Sequence, residues 1–375
     1  MKRLLWSLLL VIVLFSFQSN GNDKIITPYR SLRSTAMGGT WVTTGQYQDN
    51  FHGNPSLIMS NPRSKVTLFN LNVETSPALY GLTRALLKDS SDLTGIVGDI
   101  TGETAHARVQ MAWPGVYIVG DRFGFAFALL TSAHINTSIR NAYLIESLAV
   151  LDILPSFTFG TRLLRDKSLS LGATVYYGHR FSSQSSLTFA NVIQGNDLFE
   201  SLQDGMGDGG HVDFNLGLSY TLPFEFLRFD FIVGASIQNV LGGKYGLLSI
   251  MKLTGMCDDS DPCKVRAQPR AGAFGIKAVR EHLWRFTDLT LALEVLNIGN
   301  NSGGSFFRML HLGAETTLQE RFKFRLGLFQ GYASAGLGLD LRVFELNLTT
   351  FGEELALNTG KRQNRVVSLG LEFKI

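Results

Sequence analysis

The chain has 375 residues, of which 45% are hydrophobic and only 17% charged, with 39 glycines, 27 phenylalanines and a formal charge of +3. That charge falls to +1 without Lys2 and Arg3 and no basic cluster exists, which speaks against nucleic-acid binding. The charged share lies under the ~25% of soluble domains, and beyond the N-terminus no apolar run reaches the ~20 residues of a spanning helix.

The first residues, MKRLLWSLLLVIVLFSFQSNGND, place Lys2 and Arg3 before an apolar run from Leu4 to Phe15, with the small residues Ser19 and Gly21 behind it. This is the pattern of a secretory signal peptide, expected over 1–21. Residues 22–63 follow as a polar, Gly-containing stretch before the first strand-like segment. Gly38 and Gly39 permit positive φ and close approach. Pro55 fixes its own φ and biases Asn54 away from helix, and Asn54 can bond within its own turn. A rigid turn is therefore expected at 53–56, with Ser56 inside it.

From residue 64 onward the dominant pattern has period two. In VVSLGLEFKI, Val367, Leu369, Leu371, Phe373 and Ile375 alternate with Ser368, Gly370, Glu372 and Lys374. The stretches at 322–328, 212–221, 229–237 and 169–177 behave alike. A strand with one apolar and one polar face, in an exported Gly- and Phe-rich chain, predicts a transmembrane antiparallel β-barrel with apolar residues toward lipid and polar ones toward the lumen. The segments predict about fourteen strands, near 64–75, 108–119, 122–138, 147–164, 168–183, 210–222, 228–239, 267–280, 286–298, 307–318, 322–332, 334–341, 343–353 and 363–375. The fold class is all-β, the barrel domain 64–375. A barrel of this size is too wide for wall side chains alone to fill, so residues 22–63 are expected to enter the lumen as a plug.

Three stretches depart from the alternation. Residues 76–89, continuing to 100, carry Leu79, Leu82, Ala85 and Leu86 at helical spacing, and 191–205 suits another short helix. The insertion 240–266 contains CDDSDPC, in which Cys257 and Cys263 allow a local disulfide in an oxidising compartment. Its acidic residues leave a calcium-attracting loop open, but their spacing is not that of an EF-hand; no metal site is assigned. Glu294, Lys323, Arg325, Asp340, Arg342 and Glu345 fall on polar faces of the C-terminal strands. Their mixed signs favour pairing that holds the plug over an ion-selective pore.

Two stretches carry a family resemblance. SLRSTAMGGTWVTTGQYQDNFHGNPSLI, with Met37-Gly38-Gly39 and Asn54-Pro55-Ser56, resembles the N-terminal hatch of the FadL/PorV superfamily of outer-membrane barrels. FRLGLFQGYASAGLGLDLRVFELNLTTFGEE resembles a recurrent stretch of its TraF-like branch, with Phe351 in place of Tyr. The last strand is similar to the closing strand that targets bacterial outer-membrane barrels. The resemblance implies a bacterial outer-membrane location, lipid contact, insertion by the barrel-assembly machinery, and passive passage of small hydrophobic compounds. Its alternative implication is a PorV-like partner that docks exported proteins without transporting.

Signatures of catalysis are absent: there is no His-Glu-x-x-His, no Gly-x-Ser-x-Gly and no Walker A sequence. Gly205, Gly207 and Gly210 match a phosphate-loop spacing but precede a strand rather than a helix. A non-enzymatic protein without cofactors is expected.

Overall fold

The computed structural model describes residues 27–81, 102–140, 144–164, 166–188, 206–243, 245, 265, 268–283, 285–299, 305–355 and 362–375. Its wall is a closed antiparallel barrel of fourteen strands in sequence order, sealed by β1 (Lys65–Thr75) against β14 (Gln363–Lys374). Between them run β2 (Thr104–Val119), β3 (Phe123–Arg140), β4 (Leu144–Leu163), β5 (Leu169–Thr188), β6 (Met206–Phe226) and β7 (Phe229–Gln238). The second half comprises β8 (Ala271–Leu283), β9 (Phe286–Ile298), β10 (Leu310–Leu318), β11 (Phe322–Phe329), β12 (Tyr332–Asp340) and β13 (Phe344–Glu354). No helix among the described residues is long and apolar enough to cross a membrane.

Period-two patterning sets the two faces. On β14, Val367, Leu369 and Phe373 are exposed outward, whereas Ser368, Glu372 and Lys374 are buried in the lumen. The inverted arrangement, apolar outside and polar inside, is that of a membrane-spanning barrel. Outward phenylalanines gather where strands meet short turns: Phe123, Phe159, Phe322, Phe344 and Phe373 all lie at that end, as an interfacial aromatic belt does. Phe123 stacks on Phe159 at 6.0 Å, and Phe344 meets Phe373 at 6.0 Å.

The wall is uneven. β3 to β6 have 18 to 21 residues, β10 to β12 only 8 or 9. The excess lies in ends such as SSQSSLT (182–188), polar on both faces, so the alternation does not announce them. The N-terminal end of the tenth predicted strand is a short helix, Phe306–Met309, capped by the Ser305 hydroxyl. Of the predicted loop helices, only residues 77–81 are described, and they are helical. Residues 82–100, the stretch 191–205, most of 240–266, Cys257 and Cys263, and residues 1–21 lie outside the described residues.

The ladder is irregular at several places among the described strands, two of which bear on the site. Between Ala112 and Gly115 the pairing of β2 to β1 lapses without a change of register, while its pairing to β3 shifts by one residue, leaving Trp113 and Pro114 unpaired. Proline has no N–H to give a ladder. The second lies at β6, which pairs with β7 only from Leu216↔Ile237 toward the turn end.

Candidate functional site

Residues 27–61 occupy the lumen. Helix α1 (Leu32–Ala36) is capped by Ser31, whose Oγ accepts the Ser34 N–H at 3.1 Å. Its end needs Gly38 and Gly39, at φ +70° and +82°; a side chain on Gly39 would press the Phe329 ring at 2.6 Å. Helix α2 (Asp49–His52) follows, then a 3₁₀ helix (Pro55–Ser60). Asn54 caps the latter, Oδ1 accepting from Ser56 N (3.1 Å) and Ser56 Oγ (2.8 Å). Its Nδ2 donates to the Val42 carbonyl at 2.7 Å and to the Leu218 carbonyl on β6 at 3.1 Å, tying the turn to the wall.

An irregular backbone inside a barrel needs partners for its polar groups, and wall side chains supply them. Glu294 on β9 accepts the N–H groups of Trp41 (2.7 Å), Val42 (2.9 Å) and Thr43 (2.8 Å), and the Thr43 hydroxyl (2.7 Å). Asn215 donates to the Phe51 carbonyl (2.8 Å), Ser236 to that of Gly53 (2.9 Å), and Ser334 to that of Ala36 (3.0 Å). Ser334 also accepts the Gly38 N–H at 3.0 Å, while His311 donates to the Gly38 carbonyl at 2.5 Å.

Two ion-pair systems add charge to this seam. Arg30 meets Glu74 at 2.7 Å and Glu353 at 3.5 Å, over the Phe351 ring at 4.9 Å. Burial pulls the Arg30 pKa down, but the two carboxylates outweigh it and hold the guanidinium above the ordinary arginine range. Arg33 and Arg325 share Glu315, each at 2.6 Å. On α2, burial pushes the Asp49 carboxyl up, and burial with the nearby His211 lowers His52 to about 3.

The wall answers the segment with glycines. Gly124, Gly160, Gly172 and Gly217 pair in one row across β3, β4, β5 and β6. The 3₁₀ helix lies on this row: side chains there would collide with Met59, Ile58, Pro55 and Asn54 respectively. A second track on the opposite wall holds Gly313 and Gly327, paired across β10 and β11, against Met37 and Gly38.

The sequence-predicted residues divide accordingly. Met37 is fully buried, and Gly38, Gly39, Asn54, Pro55 and Ser56 all lie at this seam. Lys323, Asp340 and Glu345 form one cluster: Lys323 is 3.3 Å from Asp340 and 3.0 Å from Glu345. Lys374 joins it at 2.8 Å and 3.0 Å. Arg325 reaches Glu345 at 3.9 Å, and Glu294 binds backbone rather than a cation. Arg342 must be corrected: it is exposed in the turn after β12 at φ +66°, where the alternation ends, and only its backbone N–H engages Asp340, at 3.1 Å. The sequence does not single out Arg30, Arg33, Glu74, Glu315 or the glycine rows, and it marks Lys374 only as a polar-face residue. The signal of the rows was a single glycine on the polar face of FGFAF, FTFGT, SLGAT and NLGLS.

The segment meets surroundings of two kinds. On one side Phe51, Ile58 and Met59 pack with wall residues Ala112, Ala128, Leu130, Leu154 and Tyr176 into an apolar cluster. Ala112 is also where the β2 interruption begins. Toward the turn end a cavity of about 380 Å³ is lined by Arg33, Asp49, Lys65, Asp340, Glu345 and Lys374, among others.

This geometry has solved counterparts. The CymD monoaromatic hydrocarbon channel superposes with a TM-score of 0.52 at 12% identity, over 92% of this chain and 96% of that one. The toluene transporter TbuX of Ralstonia pickettii gives 0.50 at 11% identity, over 92% and 97%. A deletion mutant of the TodX monoaromatic hydrocarbon channel gives 0.50 at 12%, over 92% and 98%. What is shared is the fold. No protein-family model and no curated protein matches the sequence, so the TraF-like branch expected from the N- and C-terminal stretches gains no support.

Proposed function

We propose that the protein is a bacterial outer-membrane channel for small hydrophobic compounds, inserted as such barrels are by the barrel-assembly machinery. The observation that carries this reading is the apolar cluster of Ala112, Ala128, Leu130 and Leu154 inside an otherwise polar lumen, directly behind the ladder interruption at Trp113–Pro114. The cluster is closed by Phe51, Ile58 and Met59 of the lumen segment, and their withdrawal would give an apolar molecule entering from the loop end a favourable surface. The charged cavity on the turn side disfavours its passage straight through. The route that fits both is sideways, through the wall at β2 into the bilayer, with residues 27–61 closing the axial path. The likeness in fold to hydrocarbon channels supports the substrate class.

The test is uptake of labelled xylene by vesicles carrying a lipopolysaccharide leaflet. Reconstituted protein should raise the rate above empty vesicles, and Leu130→Arg should abolish the increase. A wild-type rate equal to that of empty vesicles overturns the reading. Co-purification of an exported protein with such a transport-silent barrel would favour docking instead.

A further inference from the structure

Beside the apolar cluster stands a group of rings that packing alone does not explain. His52, on α2, meets Tyr176 of β5 edge-on at 4.8 Å. His211, on β6, meets the same Tyr176 at 5.6 Å and Tyr245 at 4.3 Å. Among the described residues, His52 Nε2 and the Tyr245 hydroxyl are buried without a hydrogen-bond partner, and the His211 ring has only the Gly178 backbone within reach. His211 is only 2% exposed. Buried polar groups are normally paired, and a cluster that is not calls for an explanation.

The charges around the rings are already spoken for. Arg180 is paired with Asp152 at 2.6 Å. Asp213 accepts the backbone N–H groups of Phe214, Leu241 and Gly243 at 2.7 to 2.8 Å. The Tyr176 hydroxyl donates to Asn239 at 2.6 Å. What remains is a set of uncharged donors and acceptors at the border of the packed apolar cluster that includes Phe51 and Leu154. Among the described residues, a carboxylate or ammonium would find no unpaired counter-charge here, since Arg180, 5.0 Å from the Tyr245 ring, is held by Asp152. A neutral hydroxyl, which both donates and accepts, matches imidazole nitrogens and a phenol oxygen.

We infer that this ring cluster is a binding site for hydroxylated aromatic compounds of the phenol class, the ring lying on the apolar side and the hydroxyl meeting His52, His211 and Tyr245. The inference rests on the transport reading and names a substrate class within it.

The experiment is equilibrium dialysis of the detergent-solubilised full chain with labelled p-cresol and with toluene, run beside the xylene uptake assay. The wild type should bind p-cresol about tenfold more tightly than toluene, the scale of one or two neutral hydrogen bonds. In the double variant His52→Leu, His211→Phe, which keeps apolar bulk and removes the nitrogens, the ratio should fall to about one. Heat-modifiable gel migration checks that the variant barrel has folded, and His211→Phe alone, expected at an intermediate ratio, serves if the double variant does not fold. No preference in the wild type, or a preference that survives the substitutions, overturns the inference. Xylene uptake without cresol preference sinks this site and leaves the channel standing; cresol preference without uptake does the reverse.

Discussion

The hold of Glu294 on the turn at 41–43 gives the sharpest test of how the lumen is closed. One carboxylate there satisfies three backbone N–H groups and a hydroxyl, at 2.7 to 2.9 Å. In Glu294→Gln the amide oxygen keeps part of this set, while the new NH₂ faces a backbone donor. Hydrogen bonds to a charged group contribute about 1.5–3 kcal/mol each, and leaving a buried donor unpaired costs about 1–3 kcal/mol. These contributions overlap rather than add, so a net loss of about 2–4 kcal/mol in docking of the turn is expected. At ~1.4 kcal/mol per factor of ten, that is roughly a 30- to 700-fold rise in local opening. Hydrogen exchange by mass spectrometry, in nanodiscs, reads this directly. The amides of Trp41, Val42 and Thr43 should exchange faster by that factor, while those of β13, remote from Glu294, should not change. Unchanged protection at 41–43 would show that the glycine tracks, not this carboxylate, retain the segment, and the reasoning would fail.

Other expectations follow from the same geometry. Gly217→Val places a side chain on Asn54; reconstituted in planar bilayers, the variant should conduct ions more than the wild type while retaining heat-modifiable migration. Among the described residues, Arg30→Met leaves Glu74 with His106 at 3.5 Å and the charge of Arg108 nearby. Breaking a buried pair from one side costs about 3–5 kcal/mol, to be seen as a lower urea midpoint for folding in lipid. His52 is held neutral by burial and by His211, with its pKa lowered to about 3. Undocked, it would titrate near ~6.5, so its contribution to docking is complete above that pH and is lost as pH falls toward 3. Bilayer conductance should therefore climb between pH 7 and 4 in the wild type, and less in His52→Gln. Arg342→Ala, in an exposed turn, should shift stability by no more than about 0.5 kcal/mol and leave conductance as it was.

Much of the wall is local and was legible in the chain. Strand periodicity is a property of neighbouring residues, so Leu369 against Ser368, or Phe324 against Arg325, already assigns outside and inside. The same alternation put Glu294, Lys323, Arg325, Asp340 and Glu345 on the polar face, and it failed at Arg342 because a left-handed turn residue ends the period. Pairing is another matter. Arg33 finds Glu315 across 282 positions of sequence, and Thr43 finds Glu294 across 251. Each glycine of the row at 124, 160, 172 and 217 is visible alone, but the row exists only once four strands have chosen their registers. Alternation decides which way a side chain points; only closure of the barrel decides what it points at, because register and the path of residues 27–61 are set by contacts between segments that no local pattern links.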